Sequence, residues 1–425
     1  VGKVVESLVP ARLGSGYRWV LASSWTTNLS DGIAIAAGPL LIASLTDDAF
    51  LVSLAALLAW APPLVFSLYA GVLSDRLDRR RIIIVANALR AVVLTVLVLV
   101  MVTGEVSVIG ALAALGLLAC AEVFADNTAA TLTPMLVHRD DLALANARLQ
   151  TGFITLNHLA GPPIGAALFA AGSVWPFAGE ALLVAAGLLL VSKVVLPAHG
   201  RDPVDAPRRV RRDIAEGLRW TVHHAAVRTL SLTILIFNIT FGAAWSVLVL
   251  YARQRLGLGA VGFGLLTTIS AAGGLLGTAL YGRITRRVSL GNVMRIGLII
   301  ETLTHLGLAV TTSPWLASSI FFVFGAHAFI WATTSVTVRQ RAVPTHLQGR
   351  VGSLHTISTY AGLVVGSAIG GLLASHHGVT APFWFAFVGS AAFVVLLWRQ
   401  LTHIAHADER APDHPPRAAE SLMTP

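Results

Sequence analysis

Apolar residues run in long blocks from about Tyr17 to Trp398, broken only by short polar interruptions. Blocks of this length fit neither the alternation of a half-buried strand nor the narrow stripe of a soluble helix. They match the roughly 20 apolar residues that one helix needs to cross a bilayer. The pattern predicts twelve helices, at 17–45, 49–72, 82–103, 106–130, 143–171 and 174–196, then 227–251, 260–281, 292–312, 315–337, 351–374 and 380–399. One long polar stretch separates the two sets, from Pro197 to about His224. A tail rich in proline and charge follows Arg399 and reads as disordered. The expected organisation is a bundle over 1–196, a linker over 197–226, a second bundle over 227–399 and a tail over 400–425.

Composition excludes the main alternatives. Of 425 residues 55% are apolar and 12% charged, about half the charge density of a soluble domain. A water-soluble enzyme does not fit, and apolar blocks along the whole chain exclude a single-span receptor. The net charge of +9 does not point to nucleic acid, because the arginines sit in short loops between apolar runs. With the N-terminus inside, the inner loops carry 17 Arg and the outer loops two, Arg253 and Arg255. By the positive-inside rule both termini and the central loop are then cytoplasmic, in the cell's inner or plasma membrane. The first residues lack a signal-peptide pattern, so the first span is expected to insert uncleaved. The single cysteine, Cys120, leaves no disulfide framework or cysteine metal cluster.

The two sets repeat one design. GVLSDRLDRRR begins at Gly71 and GRITRR at Gly282, an offset of 211; TLTPMLVHRDDL around Pro134 and RQRAVPTHLQGR around Pro344 are 210 apart. The fold class is therefore all-α and polytopic, twelve transmembrane helices in two pseudo-symmetric six-helix bundles.

In GVLSDRLDRRR, Asp75 and Asp78 lie among Arg76, Arg79, Arg80 and Arg81. Arginines alone would be a topology anchor, which acids weaken. Here the chain resembles the major facilitator superfamily, whose loop between helices two and three follows G-x-L-x-D-R-x-G-R-K. Gly71, Leu73, Asp75, Arg76, Arg79 and Arg80 match, and Asp78 stands where glycine is usual. The stretch from Asn28 to Leu54, TLTPMLVHRDDLALANA, IAEGLRW and VPTHLQGRVGS resemble the branch of macrolide efflux proteins and the enterobactin exporter, in which an acid replaces that glycine. The resemblance covers about residues 17–399. It implies a cytoplasmic latch formed by Asp75 and Arg79. It also implies a central cavity lined by helices one, four, seven and ten, with candidates Asn28, Asp31, Asp126, Asn238, Trp245, His327 and Trp331. Glycine pairs, Gly161/Gly165 with Pro162, Gly273/Gly277 and Gly366/Gly370, permit close helix approach. The family's helix order would place them on the surface where the halves rock. GPPIGA resembles the antiporter motif of helix five, although Asn157 and Ala166 stand where that motif has Gly.

Five of the 21 acidic residues fall within spans: Asp31, Glu122, Asp126, Glu180 and Glu301. Each is a functional candidate, because a lone charge in lipid is costly. Asp31 lies midway along helix one with no Arg or Lys placed near its level, which points to proton or cationic-substrate binding, with helix–helix hydrogen bonding as the alternative. Glu122 and Asp126 lie one turn apart on helix four, and counting along the hairpin sets Glu122 within about one turn of Arg90. A structural pairing with Arg90 or with Arg76 to Arg81 competes there with a coupling role. Glu301 falls level with His327, with His305 one turn away, a proton-sensitive group or a structural one. Glu180 lies near an outer end and is expected to be solvated.

Arg208 to Val222 forms an amphipathic helix, with Ile214, Leu218 and Val222 as its apolar stripe and Trp220 suited to the membrane interface. There is no phosphate loop, H-E-x-x-H or serine elbow, and His376–His377 is too small a cluster for a metal. No cofactor or metal is implied, and the chain is not expected to be an enzyme. The reading is a monomeric secondary exporter of a small amphipathic molecule (a drug, antibiotic or siderophore-like product) by alternating access. Its partners are the substrate, protons and membrane lipid, not nucleic acid. A lysophospholipid flippase of the same fold, and a non-transporting sensor or scaffold, remain open beside it.

Overall fold

The computed structural model describes residues 10–196, 210–344 and 347–400. Among these, all regular structure is helical. The first six spans are α1 (Gly14–Leu45), α2 (Ala49–Arg76), α3 (Arg79–Thr103), α4 (Val108–Ala129), α5 (Arg139–Ala171) and α6 (Trp175–Val191). The last six are α7 (Ala225–Trp245), α8 (Ala260–Thr285), α9 (Leu290–Val310), α10 (Pro314–Ala342), α11 (Gln348–His377) and α12 (Ala381–Leu397). A linker helix, Val210–His223, precedes α7. Ten spans are long and apolar enough to cross a membrane on their own; α6 and α12, 17 residues each, are the shorter last members of their sets.

The turns explain the boundaries. Asp48 starts α2 by accepting from the Phe50 N–H at 2.8 Å. Asp78 starts α3 by accepting from the Arg81 N–H at 3.0 Å. Each satisfies a backbone donor that a helix N-terminus leaves open. The acid at the motif's glycine position is thus a helix cap. At the arginine-rich end α2, α10 and α11 continue beyond the expected 72, 337 and 351, since helical hydrogen bonding does not stop where the apolar run stops.

Two expected helices are not uniform. α5 widens into a π turn over Phe153–Ala160. Pro162 and Pro163 follow directly and have no N–H to return to the carbonyls four residues back. One of those carbonyls, Leu159 O, accepts instead from Thr268 Oγ1 of α8 at 3.4 Å. α7 stops at Trp245, and a short helix, Leu248–Gln254, carries on the chain.

The glycine pairs do not form the surface between the halves. A Cβ on Gly161 would stand 2.4 Å from Gly32 Cα, and one on Gly165 2.4 Å from Ile33 O, so both face α1 of their own half. Likewise Gly273 and Gly277 face Phe322 and Ala326 of α10, and Gly366 and Gly370 face Ile239 and Ala243 of α7. The close approaches across the halves belong to Gly264, against Ala166 and Pro162, and to Gly371, against Ser53. Both lie toward the arginine-poor end. There a single apolar cluster joins Leu40, Val52 and Ala166 to Leu248, Tyr251 and Phe263. Arg253 ion-pairs with Asp47 and donates to Ala43 O at 2.8 Å, tying α1 to the chain after α7. At the arginine-rich end, Gly71, Gly282, Gly349 and Gly352 have no atom within 4 Å of where a Cβ would lie.

Gly370→Val places its new Cβ 2.1 Å from Ala243 O. It is expected to cost about 1–3 kcal/mol, typical of overpacking, whereas Gly349→Ala is expected to be neutral. Thermal midpoints of the purified variants, read by size-exclusion fluorescence, check the contrast.

Candidate functional site: buried charge in each half

In the first half the charges gather around one guanidinium. Arg90, 4% exposed on α3, ion-pairs with Asp31, 8% exposed on α1. The expectation that Asp31 lacks a cation is therefore corrected, and Arg90 takes Asp31 rather than Glu122 as its direct partner. Arg90 also lies within electrostatic reach of Glu122 and Asp126 on α4. Asn87, one turn earlier, accepts weakly from it at 3.5 Å.

Glu180 corrects a second expectation. It is 3% exposed rather than solvated, and it feels Arg90, Asp31 and Glu122. Its backbone carbonyl accepts from Ser30 Oγ at 3.5 Å, which sets the short α6 deep beside the turn that carries Asp31. Its Oε1 is buried without a hydrogen-bond partner among the described residues.

The four acids form a gradient of access. Asp126 is exposed, Glu122 is half-buried, and Asp31 and Glu180 are sealed. Glu122 and Asp126 act electrostatically on Tyr360 of α11, across the interface between halves. Tyr360 itself packs on Trp60 of α2, ring centroids 6.3 Å apart. The acid pair thus faces the space between the halves, with the Asp31–Arg90 pair behind it.

In the second half Glu301, His305 and His327 meet as the spacing predicts. Glu301 Oε1 lies 3.0 Å from His305 Nε2, and Oε2 lies 3.1 Å from His327 Nε2. Aromatic rings enclose them. Trp331 stacks on Phe237 at 5.5 Å, and Trp245 packs against Phe241 at 4.4 Å and Phe324 at 4.6 Å. Trp245, His327 and Trp331 therefore come together, apart from the acids of the first half. Asn28 and Asn238, 210 residues apart, repeat one arrangement: each side-chain amide donates to the carbonyl four residues back, at 2.8 and 2.7 Å.

The loop motif is described in part. Arg79 Nε donates to Ser74 O at 3.1 Å, and Nη1 approaches Met135 Sδ at 2.7 Å. Arg80 donates to Ser192 O. Arg76 closes α2 and is exposed. The Asp75 side chain lies outside the described residues, and so does that of Ile214. In the linker helix Leu218 and Val222 are exposed, as the stripe predicts. Trp220 turns inward instead, packing with Val227, Val343, Leu347 and Val351 and stacking on His224 at 4.7 Å. Glu216 pairs with Arg350 at 2.9 Å, fastening the linker helix to α11.

That Arg90 lies level with Asp31 was legible in the sequence, although not that their helices adjoin. Asp31 lies 14 residues before Leu45, the end of α1, and Arg90 lies 13 before Thr103, the end of α3. Both helices end at the arginine-poor side, so the two charges share a level. The Asp47–Arg253 contact had no comparable signal, because it joins two turns 206 residues apart.

Twelve spans in two halves, each with buried charge, define a multi-pass membrane transporter of the major facilitator superfamily, not an enzyme. The model for the transmembrane secretion effector family matches residues 7–423, and the chain belongs to that family. It is 28% identical to the multidrug efflux pump Tap of Mycolicibacterium fortuitum, over 86% of this chain and 90% of the relative. It is 24% identical to macrolide efflux protein A of Streptococcus pyogenes (83% and 87% covered) and 25% identical to the enterobactin exporter EntS of Escherichia coli (93% and 94%). A bacterial homologue of the iron transporter ferroportin, solved facing inward, shares the fold with a TM-score of 0.73 at 16% identity, covering 92% of this chain and 98% of that one. The nucleoside transporter NupG gives a TM-score of 0.67 at 13% identity, with 92% and 99% covered.

Arg90→Gln leaves the Asp31 carboxylate buried without its cation and is expected to cost about 3–5 kcal/mol. Asp31→Asn combined with Arg90→Gln is expected to recover part of that loss. Thermal unfolding of the single and double variants in detergent measures the coupling.

Proposed function

We propose that the chain exports a small amphipathic molecule from the cytoplasm in exchange for protons, using the Asp31, Arg90, Glu122, Asp126 and Glu180 cluster for coupling. The observation that carries this reading is one guanidinium among four acids, graded from exposed Asp126 to sealed Asp31. A single Arg balances a single carboxylate. Sealed Glu180 then has no cation of its own and can be balanced by a proton, and exposed Asp126 gives the cluster an accessible member through which protons can enter. Each proton crossing about 100 mV supplies about 2.3 kcal/mol.

Several observations support the direction and the cycle. The arginine imbalance supports an orientation with the arginine-rich end, both termini and the linker in the cytoplasm. The opposite end is held shut by Asp47–Arg253 and by the apolar cluster, while Gly71 and Gly282 stand in open space at the cytoplasmic end. Outward opening would break the first set of contacts and bring the loop glycines together, with Asp75 and Arg79 latching the closed cytoplasmic side. This is alternating access by two rocking halves. One chain contains both halves, so a monomer suffices. The family relatives export macrolides, enterobactin or several drugs by their names, which supports a substrate of that class for this chain. Asn28, Asn238, Trp245 and Trp331 are the candidate substrate contacts.

The test is macrolide and enterobactin accumulation in cells stripped of their own pumps, with and without an uncoupler. Export that persists after uncoupling, or export of neither compound, would overturn the reading. Asp31→Asn, close in shape and permanently neutral, is expected to abolish uphill export in proteoliposomes carrying a pH gradient. Asp75→Asn is expected to insert normally and lower export at least about fivefold, measured against surface expression. Wild-type export by that variant would remove the latch.

A further inference from the structure

The second half contains a single carboxylate. Between Glu216 and Asp408 the only acidic residue is Glu301, and among the described residues no arginine pairs with it. It lies near the middle of α9, is 0% exposed, and uses both oxygens on imidazoles of His305 (0% exposed) and His327 (5%). A helix-packing hydrogen bond needs one such contact, whereas here one carboxylate is clamped between two histidines.

With the carboxylate ionised and both rings neutral, each imidazole donates through Nε2–H and leaves Nδ1 as a bare lone pair. Neither Nδ1 has a hydrogen-bond partner among the described residues. In that state the trio carries one net negative charge, and one proton on either Nδ1 makes it neutral.

Among the described residues no other charged group pairs with the trio; Arg255, which reaches α9, donates to the carbonyls of Val310 and Thr311 at its end. On α9, Arg295 turns away to Trp398, donating to its carbonyl at 3.0 Å. On α10 the remaining ionisable groups, Arg339 and Arg341, lie in the last turn. α8, packed on α10, carries its one arginine, Arg283, in its last turn. α12 has none, and the only one on α7, Arg228 in its first turn, bonds Val222 O. What faces the histidines is aromatic: Phe237 and Phe324 stand perpendicular to His327 at 6.3 and 5.6 Å, and Trp245 perpendicular to His305 at 6.2 Å. These separations are near the distance range of cation–π contacts.

We propose that Glu301, His305 and His327 form a second proton-binding site, which takes up one proton on an imidazole Nδ1 and passes from a net charge of −1 to zero. The proton comes from water when that half opens to it, no bond other than N–H is made or broken, and the carboxylate remains the shared acceptor. The site lies against the Trp245–Phe241–Phe324 aromatic group, so its charge acts on the candidate substrate wall. The exporter reading supplies a use for this proton, but the site itself does not depend on it.

The experiment is nitrogen NMR of full-length protein in nanodiscs with labelled histidine, from pH 5 to 9, without substrate. The His305 and His327 signals are assigned by their loss in His305→Asn and His327→Asn. The two rings are expected to respond together with the uptake of one proton per chain. In Glu301→Gln their shared transition is expected to fall by at least one pH unit, about a tenfold loss of proton affinity. Each His→Asn variant is expected to move the remaining ring's midpoint, so the site stays testable if Glu301→Gln does not fold. Rings that stay unresponsive from pH 5 to 9, or midpoints unmoved in every variant that folds, would overturn the site and reduce the trio to packing between α9 and α10. Because no substrate is present, this outcome is independent of whether Asp31→Asn stops export.

Discussion

An ion pair sealed inside a membrane-spanning bundle constrains everything built around it, and Asp31 with Arg90 is that pair here. A charge in such an interior is tolerable only beside its partner. The register of α1 against α3 is therefore set to within the reach of one arginine side chain. The next residue, Gly32, carries the complementary steric requirement. A Cβ there would lie 2.6 Å from Asn157 O, on the π turn of α5. Two consecutive residues of α1, about 100° apart around the helix, thus fix it against two different neighbours, one by charge and one by the absence of a side chain. The π turn, which follows from Pro162 and Pro163 lacking N–H groups, brings Leu156 and Asn157 carbonyls up to that glycine.

The halves repeat this skeleton and exchange its chemistry. Helix five lies on helix one through Gly161 and Gly165, and helix eleven lies on helix seven through Gly366 and Gly370. Asn28 and Asn238 make the same back-bond. Arg90 and Glu301 differ by 211 residues, the offset of the repeated loop glycines. At equivalent places on its third helix one half buries a cation among carboxylates, and the other buries a carboxylate among imidazoles. A repeat conserving only packing would have no reason to keep ionisable groups at both places, where each costs solvation. Both halves therefore bury ionisable groups at equivalent places on their third helices.

Reading from residues reached the fold and the Glu301 trio for the same physical reason: both depend on local spacing. Apolar block length is a property of one helix, and a level match along the hairpin from α9 to α10 follows from rise per residue. Asp31 and Arg90 sit on helices that are not consecutive, so their pairing depended on packing order, which spacing does not contain. Glu180 was misplaced because depth was counted from the start of α6, whereas its burial comes from packing beside Ser30 of α1. The glycine pairs were assigned to the interface between halves because small residues report close approach without naming the partner. Trp220 has an interfacial composition but found a pocket of Val343, Leu347 and Val351 first.

The uneven tightness of the two ends bears on what the repeated loops are for. At the arginine-poor end each close approach is occupied: Gly371 meets Ser53, Gly264 meets Ala166, and Arg253 meets Asp47. At the other end Gly71 and Gly282, the glycines that open the two repeated motifs, border empty space. Neither has a positive φ, so backbone geometry does not call for glycine there. A helix-terminal glycine that is neither strained nor crowded costs about 0.5–1 kcal/mol relative to alanine and offsets nothing in this state. In the proposed cycle that cost is offset in a state in which the loops close on one another. The repeat of the cost at both pseudo-equivalent positions is what such a contact, made in the cycle rather than in the resting fold, would require.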